Sequence, residues 1–343
     1  MASDTNGHRV RALVAVTIAL AIITALALGY AGNWRLPAAS APAEKLSIAL
    51  PTTPHAALLC IAAAKGYFAE QGLDVTVKPV SHGRAALDLM IQGGADLAST
   101  AEVPFVIAVM KGEPIGVAAT IVSVSSDMTI IARRDRAIAR PSDLAGKRIG
   151  ATPGTSGEYF LWAFLIRNKI APSSITMVDT PPDKLVQALS NGSIDAASTW
   201  EPIKSDARAA LADNALPLTS TDAYVVTHVV VGRSDFLKSR SSAIGKLVRA
   251  LIQAEAFASK EPRQAMALVA DQFKLDVKTV QSGWDDIEFK VNLRQSQLIT
   301  LEDQARWAMA RGYADKQPVP NFLPHLYLDA LLGVQAERVT VVH

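Results

Sequence analysis

Apolar positions along this chain follow two alternating periods. Short runs at 46–50, 75–80, 147–151 and 175–178 read as strands, and stretches at 84–91, 159–167 and 183–189 repeat with a helical spacing. Segments 96–99 and 195–198 add one strand to each set. Strands that alternate with helical stretches of this length predict an α/β fold of parallel-rich sheets with helices on both faces. Beyond about Ser239 the pattern turns helical. Ile244, Leu247, Val248, Leu251 and Ile252 form one apolar stripe on a helix starting near Ser241 or Ser242, and further helices are expected at 262–272, 277–287, 301–312 and 324–332. These stripes read as packing surface.

The pattern is written twice. Two segments align without gaps when the second is displaced by ninety-nine residues: Thr53-Pro54 falls on Thr152-Pro153, each after a short strand and before a helix. In the same register Gly93, Asp96, Ala98, Ser99, Thr100 and Glu102 fall on Gly192, Asp195, Ala197, Ser198, Thr199 and Glu201. Asp96 and Asp195 read as turn residues. In parallel sheets the ligand crevice lies outside the carboxyl ends of the strands, so the loops there are the candidate site.

Composition narrows the function classes. The chain has 343 residues, half of them hydrophobic and 19% charged, which suits two globular lobes. A formal net charge of +2, with no run of Lys and Arg interleaved with aromatics, gives no support to a nucleic-acid partner. Cys60 is the single cysteine and lies in an apolar segment, where it reads as a small buried hydrophobe; it allows neither an intrachain disulfide nor a cysteine metal cluster. No cofactor and no metal site is expected.

Residues 1–42 read as an address. His8, Arg9 and Arg11 precede an uncharged run from 12 to 30, after which 36–43 is small-residue and Pro-rich. About 19 apolar residues exceed the usual signal-peptide core of roughly 7 to 15 and approach the roughly 20 that span a bilayer. Cleavage at Ala39-Ser40-Ala41 and permanent membrane contact through 12–31 both follow from this pattern. Either way the protein is expected to be exported, periplasmic or at the cell surface.

Four motifs in order carry a resemblance: 63–75, AAKGYFAEQGLDV; 94–98, GADLA; 143–150, DLAGKRIG; and 192–196, GSIDA, followed by Trp200-Glu201-Pro202. Together they resemble the nitrate, sulfonate and taurine type of ABC transporter substrate-binding proteins over nearly the whole chain past the leader. The resemblance implies a two-lobed type II periplasmic-binding-protein fold with ligand in the cleft. Lobe 1 would comprise 45–125 and 228–343, and lobe 2 would comprise 126–227. The crossovers would lie near 122–131 and 224–231, the second a run of valines suited to a buried strand. Its implied partners are a small-molecule ligand, an ABC permease and its ATPase subunits.

The site needs its own argument, because fold does not assign a ligand. Gly154, Thr155 and Ser156 precede a helix whose first N–H groups and dipole favour an anionic or oxygen-rich group; the alternative is that Thr155 or Ser156 only caps that helix. Thr53 and His55 occupy the matching loop of lobe 1, and Ser81 and His82 precede its next helix, with surface or capping roles as the alternative for both histidines. Thr100, Glu102, Trp200 and Glu201 follow the matched strands. Trp200 suits either stacking on a planar ligand or packing at the hinge. Exposed carboxylates at Glu102 and Glu201 would repel a nitrate or sulfonate and attract an amine or ring N–H, unless they only support loops. The expected activity is therefore capture of a small anionic or zwitterionic solute by lobe closure. Uptake of a pyrimidine or aromatic compound and a membrane-tethered sensor are the rivals. An enzyme is the weakest reading: Gly154-Thr155-Ser156-Gly157 is not a G-x-S-x-G elbow, and neither G-x-x-x-x-G-K nor H-E-x-x-H occurs. A family of pyrimidine-synthesising proteins shares the implied fold, but the export segment argues against a cytosolic biosynthetic role.

Overall fold

The computed structural model describes residues 17–24, 42–219 and 224–342. It separates into two units, Met1–Pro42 and Ala43–His343. Within the first, residues 17–24 are helical. Most of the apolar leader and the Ala39-Ser40-Ala41 stretch lie outside the described residues. Among the described residues no helix is long and apolar enough to cross a membrane.

Residues from Ala43 onward build a two-lobed α/β fold on two sheets. The first has six strands in the order β11-β4-β10-β3-β1-β2, and the second has five in the order β7-β6-β8-β5-β9. In the first sheet these are β1 (Glu44–Pro51), β2 (Leu73–Val80), β3 (Leu97–Ala101), β4 (Ile115–Val124), β10 (Val226–Arg233) and β11 (Ile287–Asn292). The second holds β5 (Thr129–Arg133), β6 (Arg148–Ala151), β7 (Thr176–Asp179), β8 (Ala196–Thr199) and β9 (Ala215–Leu218). Strands from the two sequence copies take equivalent places: β1 lies parallel between β2 and β3, and β6 parallel between β7 and β8. Asp96 and Asp195 do more than turn the chain. Asp96 Oδ2 accepts the N–H of Ser47 at 2.7 Å and Asp195 Oδ2 that of Arg148 at 2.9 Å, so each carboxylate ties the start of its own strand to the neighbouring strand of its copy.

Both sheets are mixed, because the segments that pass between them run antiparallel to their neighbours. β10 pairs antiparallel with β3 and β4, and β5 with β8 and β9. Val229, Val230 and Val231 are fully buried, which fits a central strand covered on both faces. The helix Ala57–Ala64 is buried nearly all round and packs on Ser241–Lys260, so its lack of a polar face reflects a core position. Cys60 sits in it at 3% exposure, where burial pushes its thiol up to about 12.

The C-terminal part corrects one expectation. Helix Val277–Trp284 stops before Ile287, and 287–292 forms edge strand β11. Ile287, Phe289 and Val291 alternate with Glu288 and Lys290, a two-residue period that suits an edge strand with one covered face. Helix Gln295–Ala310 begins before the expected 301, and the final helix is Asp329–Gln335.

Two glycines test this packing. A Cβ on Gly232 would lie 2.8 Å from Leu97 Cδ2 and 2.9 Å from Leu237 Cδ2, whereas one on Gly245, within Ser241–Lys260, would meet only Arg249 Nη1 at 3.8 Å. Gly232→Ala is expected to lower stability by about 1–3 kcal/mol by overpacking, and Gly245→Ala to raise it by about 0.5–1 kcal/mol through helix propensity. Urea midpoints at unchanged slope check both.

Candidate functional site

The segments joining the two sheets meet the strand-end loops around one small cavity. The first joining segment, 125–128, carries Asp127 and Met128, and the second leads into β10, whose third residue is His228. Opposite β4, the register slips between His228 and Val229, a bulge of the kind that re-aims a side chain next to a site. Thr53 and His55 arrive on the turn after β1, His82 and Arg84 at the start of helix Gly83–Ile91, Thr155 and Ser156 at the start of helix Ser156–Arg167, and Trp200 just after β8. The cavity they line measures about 30 Å³, room for roughly two or three water molecules.

Its polar groups are buried and incompletely paired. His55 Nε2 lies 3.0 Å from Asp127 Oδ1, and the His55 ring stacks on His228 with centroids 4.4 Å apart and planes 7° apart. Burial alone would raise the Asp127 carboxyl, but its pairing with His55 outweighs that and holds it below the usual carboxylate range. Desolvation drives His228 well below the ordinary imidazole range, so its ring is neutral. His55 Nδ1, His228 Nδ1 and Asp127 Oδ2 are sealed from solvent and have no hydrogen-bond partner. Other buried polar atoms also lack partners, Ser99 Oγ and Trp307 Nε1 among them, but here several share the wall of one cavity, and each calls for an explanation.

The expected residues divide into two groups. Thr53, His55, His82, Thr155, Ser156 and Trp200 line the cavity. Ser81 stands outside it and bonds His82 Nδ1 at 2.8 Å. Thr100 is fully buried beneath Gly83, where a Cβ would come within 3.1 Å of its hydroxyl oxygen. Gly154 has a positive φ of 66°, but its N–H is directed at Glu158 Oε2 and the Tyr313 hydroxyl, each at 2.8 Å. The amide that suggested an anion site is therefore engaged by the protein's own groups. Thr155 holds the N-cap position without a capping bond, its hydroxyl donating instead to Thr152 O at 2.7 Å.

Glu102 and Glu201 also lie outside the cavity lining. Glu102 accepts from the Tyr224 hydroxyl, from Thr227 N–H at 3.0 Å and from Gln304 Nε2 at 3.1 Å. Glu201 caps helix Ile203–Leu211 through Ser205 N–H at 3.2 Å and pairs with Lys204 at 3.2 Å. Arg84, Asp127 and His228 are additional lining residues that the strand-end argument passes over, because two of them sit in the joining segments. A lone histidine inside the valine run of 225–231 was the available signal for one of these.

Direct bonds join loops of the two sheets. Arg84 Nη1 donates to Pro153 O at 2.5 Å. Arg311, just past helix Gln295–Ala310, donates to buried Glu158 Oε1 at 3.0 Å, and the Tyr313 hydroxyl bonds Glu158 Oε2. Trp307 and Tyr224 both meet Tyr159 edge-on, at 5.3 and 4.9 Å. Among the described residues no group of three or more His, Cys, Asp or Glu side chains could hold a metal ion.

A family model described as "NMT1/THI5 like" matches residues 53–265. A binding protein of Brucella abortus is 22% identical over 233 residues, covering 66% of this chain and 70% of the relative. The taurine-binding periplasmic protein of Escherichia coli is 26% identical over 163 residues, 47% of this chain and 50% of that protein. Among solved structures, the alkanesulfonate-binding protein from Xanthomonas axonopodis pv. citri bound to MOPS superposes with a TM-score of 0.74 at 18% identity, covering 84% of this chain and 99% of that one. At that identity the likeness is one of fold.

Burial of Glu102 gives a pH dependence. Desolvation outweighs its three donors and pushes its carboxyl up to about 7, from the 4.5 of a free glutamate. The folded state therefore holds this proton more tightly than the unfolded chain. The resulting stabilisation is complete below about pH 4.5 and is lost as pH rises through 7. The stability of Glu102→Gln relative to the parent should rise across that window by on the order of 3 kcal/mol, read from urea denaturation at pH 4.5 and 8. A pH-independent difference would place the proton elsewhere.

Proposed function

This chain belongs to the NMT1/THI5-like family, and from that premise we propose that it is the extracytoplasmic solute-binding component of an ABC importer. It captures a small anionic or zwitterionic solute between two lobes and delivers it to a permease and its ATPase subunits. Lobe 1 comprises 45–125 and 228–343, lobe 2 comprises 126–227, and residues 1–42 export the chain and hold or release it at the membrane.

The observation that carries this reading is the set of buried, unpartnered polar atoms on His55, Asp127 and His228 around one cavity where the two sheets' loops meet. Each side contributes part of the set, so a solute gains its full contacts only when the lobes are together, and that difference drives closure. Arg84 and the first turn of helix Ser156–Arg167 provide positive charge and donors for an acidic group. The relatives named for binding taurine and alkanesulfonates support the same ligand class. A planar heterocycle is the second reading, favoured by Trp200 and the stacked imidazoles in the cavity wall.

A thermal-shift series with nitrate, alkanesulfonates, taurine, aromatic acids and pyrimidines tests this. At about 100 times its Kd the true solute should add roughly 2.7 kcal/mol. Ser156→Ala and Trp200→Ala should each shrink that gain. A panel that leaves the melting temperature unmoved, or variants that respond as the parent does, contradicts the proposal.

A further inference from the structure

A second and larger recess lies on the far side of the six-stranded sheet. The register of β10, β4 and β11 sets Thr227 beside Ser123 and Ser123 beside Glu288, a row of polar side chains across three strands. The adjacent row, His228, Val122 and Phe289, projects from the opposite face, and His228 there stacks on His55 in the first cavity. The groove bordered by Thr227, Ser123 and Glu288 is therefore separated from that cavity by the sheet itself. It holds about 510 Å³, within the roughly 300–1,000 Å³ usual for small-molecule sites, against about 30 Å³ for the first cavity.

The first turn of helix Gln295–Ala310 completes the wall, and the floor between helix and sheet is polar. Thr120, Asn292 and Gln297 line it and are each 6% exposed or less. Thr120 Oγ1 donates to Gln297 Oε1 at 3.2 Å, which leaves Gln297 Nε2 without a partner, and Thr227 Oγ1 has none either. Buried hydroxyls and amides cost free energy unless they are bonded, so this floor suits an occupant that both donates and accepts. Val124 and the half-exposed Val225 add an apolar strip to the same groove.

Charge is neutralised within the protein. Arg294 holds Glu288 through two bonds, at 3.0 and 2.6 Å, and Asp286 accepts from the Ser126 hydroxyl at 2.6 Å. Two carboxylates against one guanidinium disfavour an anion such as the solute proposed for the first cavity. An amine would meet carboxylates that are already engaged and a floor without charge. We propose that this groove is a second ligand site, independent of the solute cavity, for a neutral polyhydroxylated molecule of the sugar or polyol class. The hydroxyls of such a ligand match Ser123, Thr227 and Gln297, and its C–H faces match the two valines.

Saturation-transfer NMR titrations of the purified full chain with trehalose, sucrose, glucose and sorbitol test this, with ethanesulfonate and ethylamine as charged counterparts. At least one neutral probe should bind saturably. Thr227→Val and Gln297→Leu each remove a neutral hydrogen-bonding group and should weaken that binding about 3- to 10-fold. Ser296→Trp fills the groove from an exposed position on its wall and should abolish binding, which keeps the test decisive where a buried variant fails to fold. Absence of saturable binding by every neutral probe overturns the proposal. So does binding that is lost in Trp200→Ala but kept in Ser296→Trp, because the sugar would then occupy the first cavity. Tighter binding of either charged probe that Ser296→Trp removes overturns the ligand class.

Discussion

Carboxylates taken out of water set the terms for this structure. Glu102, Asp127 and Glu158 are each 4% exposed or less, and a buried carboxylate is tolerated only with partners close enough to offset its desolvation. Each finds them far along the chain: Glu102 in Tyr224, Thr227 and Gln304, Asp127 in His55, Glu158 in Arg311 and Tyr313. The three sites lie where segments of the two sheets approach one another. The same charges that are hardest to bury therefore fix how the joining segments, the strand-end loops and the C-terminal helix come together.

The three solve the problem to different degrees. Both Glu102 oxygens have donors, and Glu158 has donors on both sides as well. They hold the β3 end and the 152–158 loop in place. Asp127 has a donor on one oxygen only, beside an imidazole that is also half satisfied. Other buried atoms lack partners too, Gln304 Oε1 beside Glu102 among them, but Asp127 Oδ2 is the carboxylate oxygen so placed among the three. The loop bonds Arg84 to Pro153 and Arg311 to Glu158 already hold the two sides together. A solute then needs to contribute only the increment that makes closure prevail.

Much of the fold was legible because it follows from local periodicity. Strands β1, β3, β6 and β8 and the helices after them stand in the repeated register, and the valine run marked β10 as buried. β11 was missed because the expected helix was carried on to 287 and residues 288–292, a short alternating run close behind helix Val277–Trp284, were assigned to no element. The site was legible in part. Loops after the strands identified Thr53, His55, His82, Thr155, Ser156 and Trp200, since a parallel sheet places those loops at one end. Asp127 and His228 come from segments whose meeting depends on the whole topology, and a bulge in β10 orients one of them. Glu102 and Gly154 illustrate the converse: each has the chemistry of a ligand contact, but Tyr224 and Tyr313, over one hundred residues away in sequence, engage them first.

Distances between the two lobes under solute test the central claim most directly. Gln92 and Lys184 are exposed on opposite lobes, and Cys60 is buried with its thiol pushed up to about 12, so spin labels on Gln92→Cys and Lys184→Cys report the separation without interference from the native thiol. Closure over a solute predicts a broad distance distribution for the solute-free protein that collapses to its shorter component as a stabilising solute saturates the site. A distribution that stays the same at saturation would contradict it.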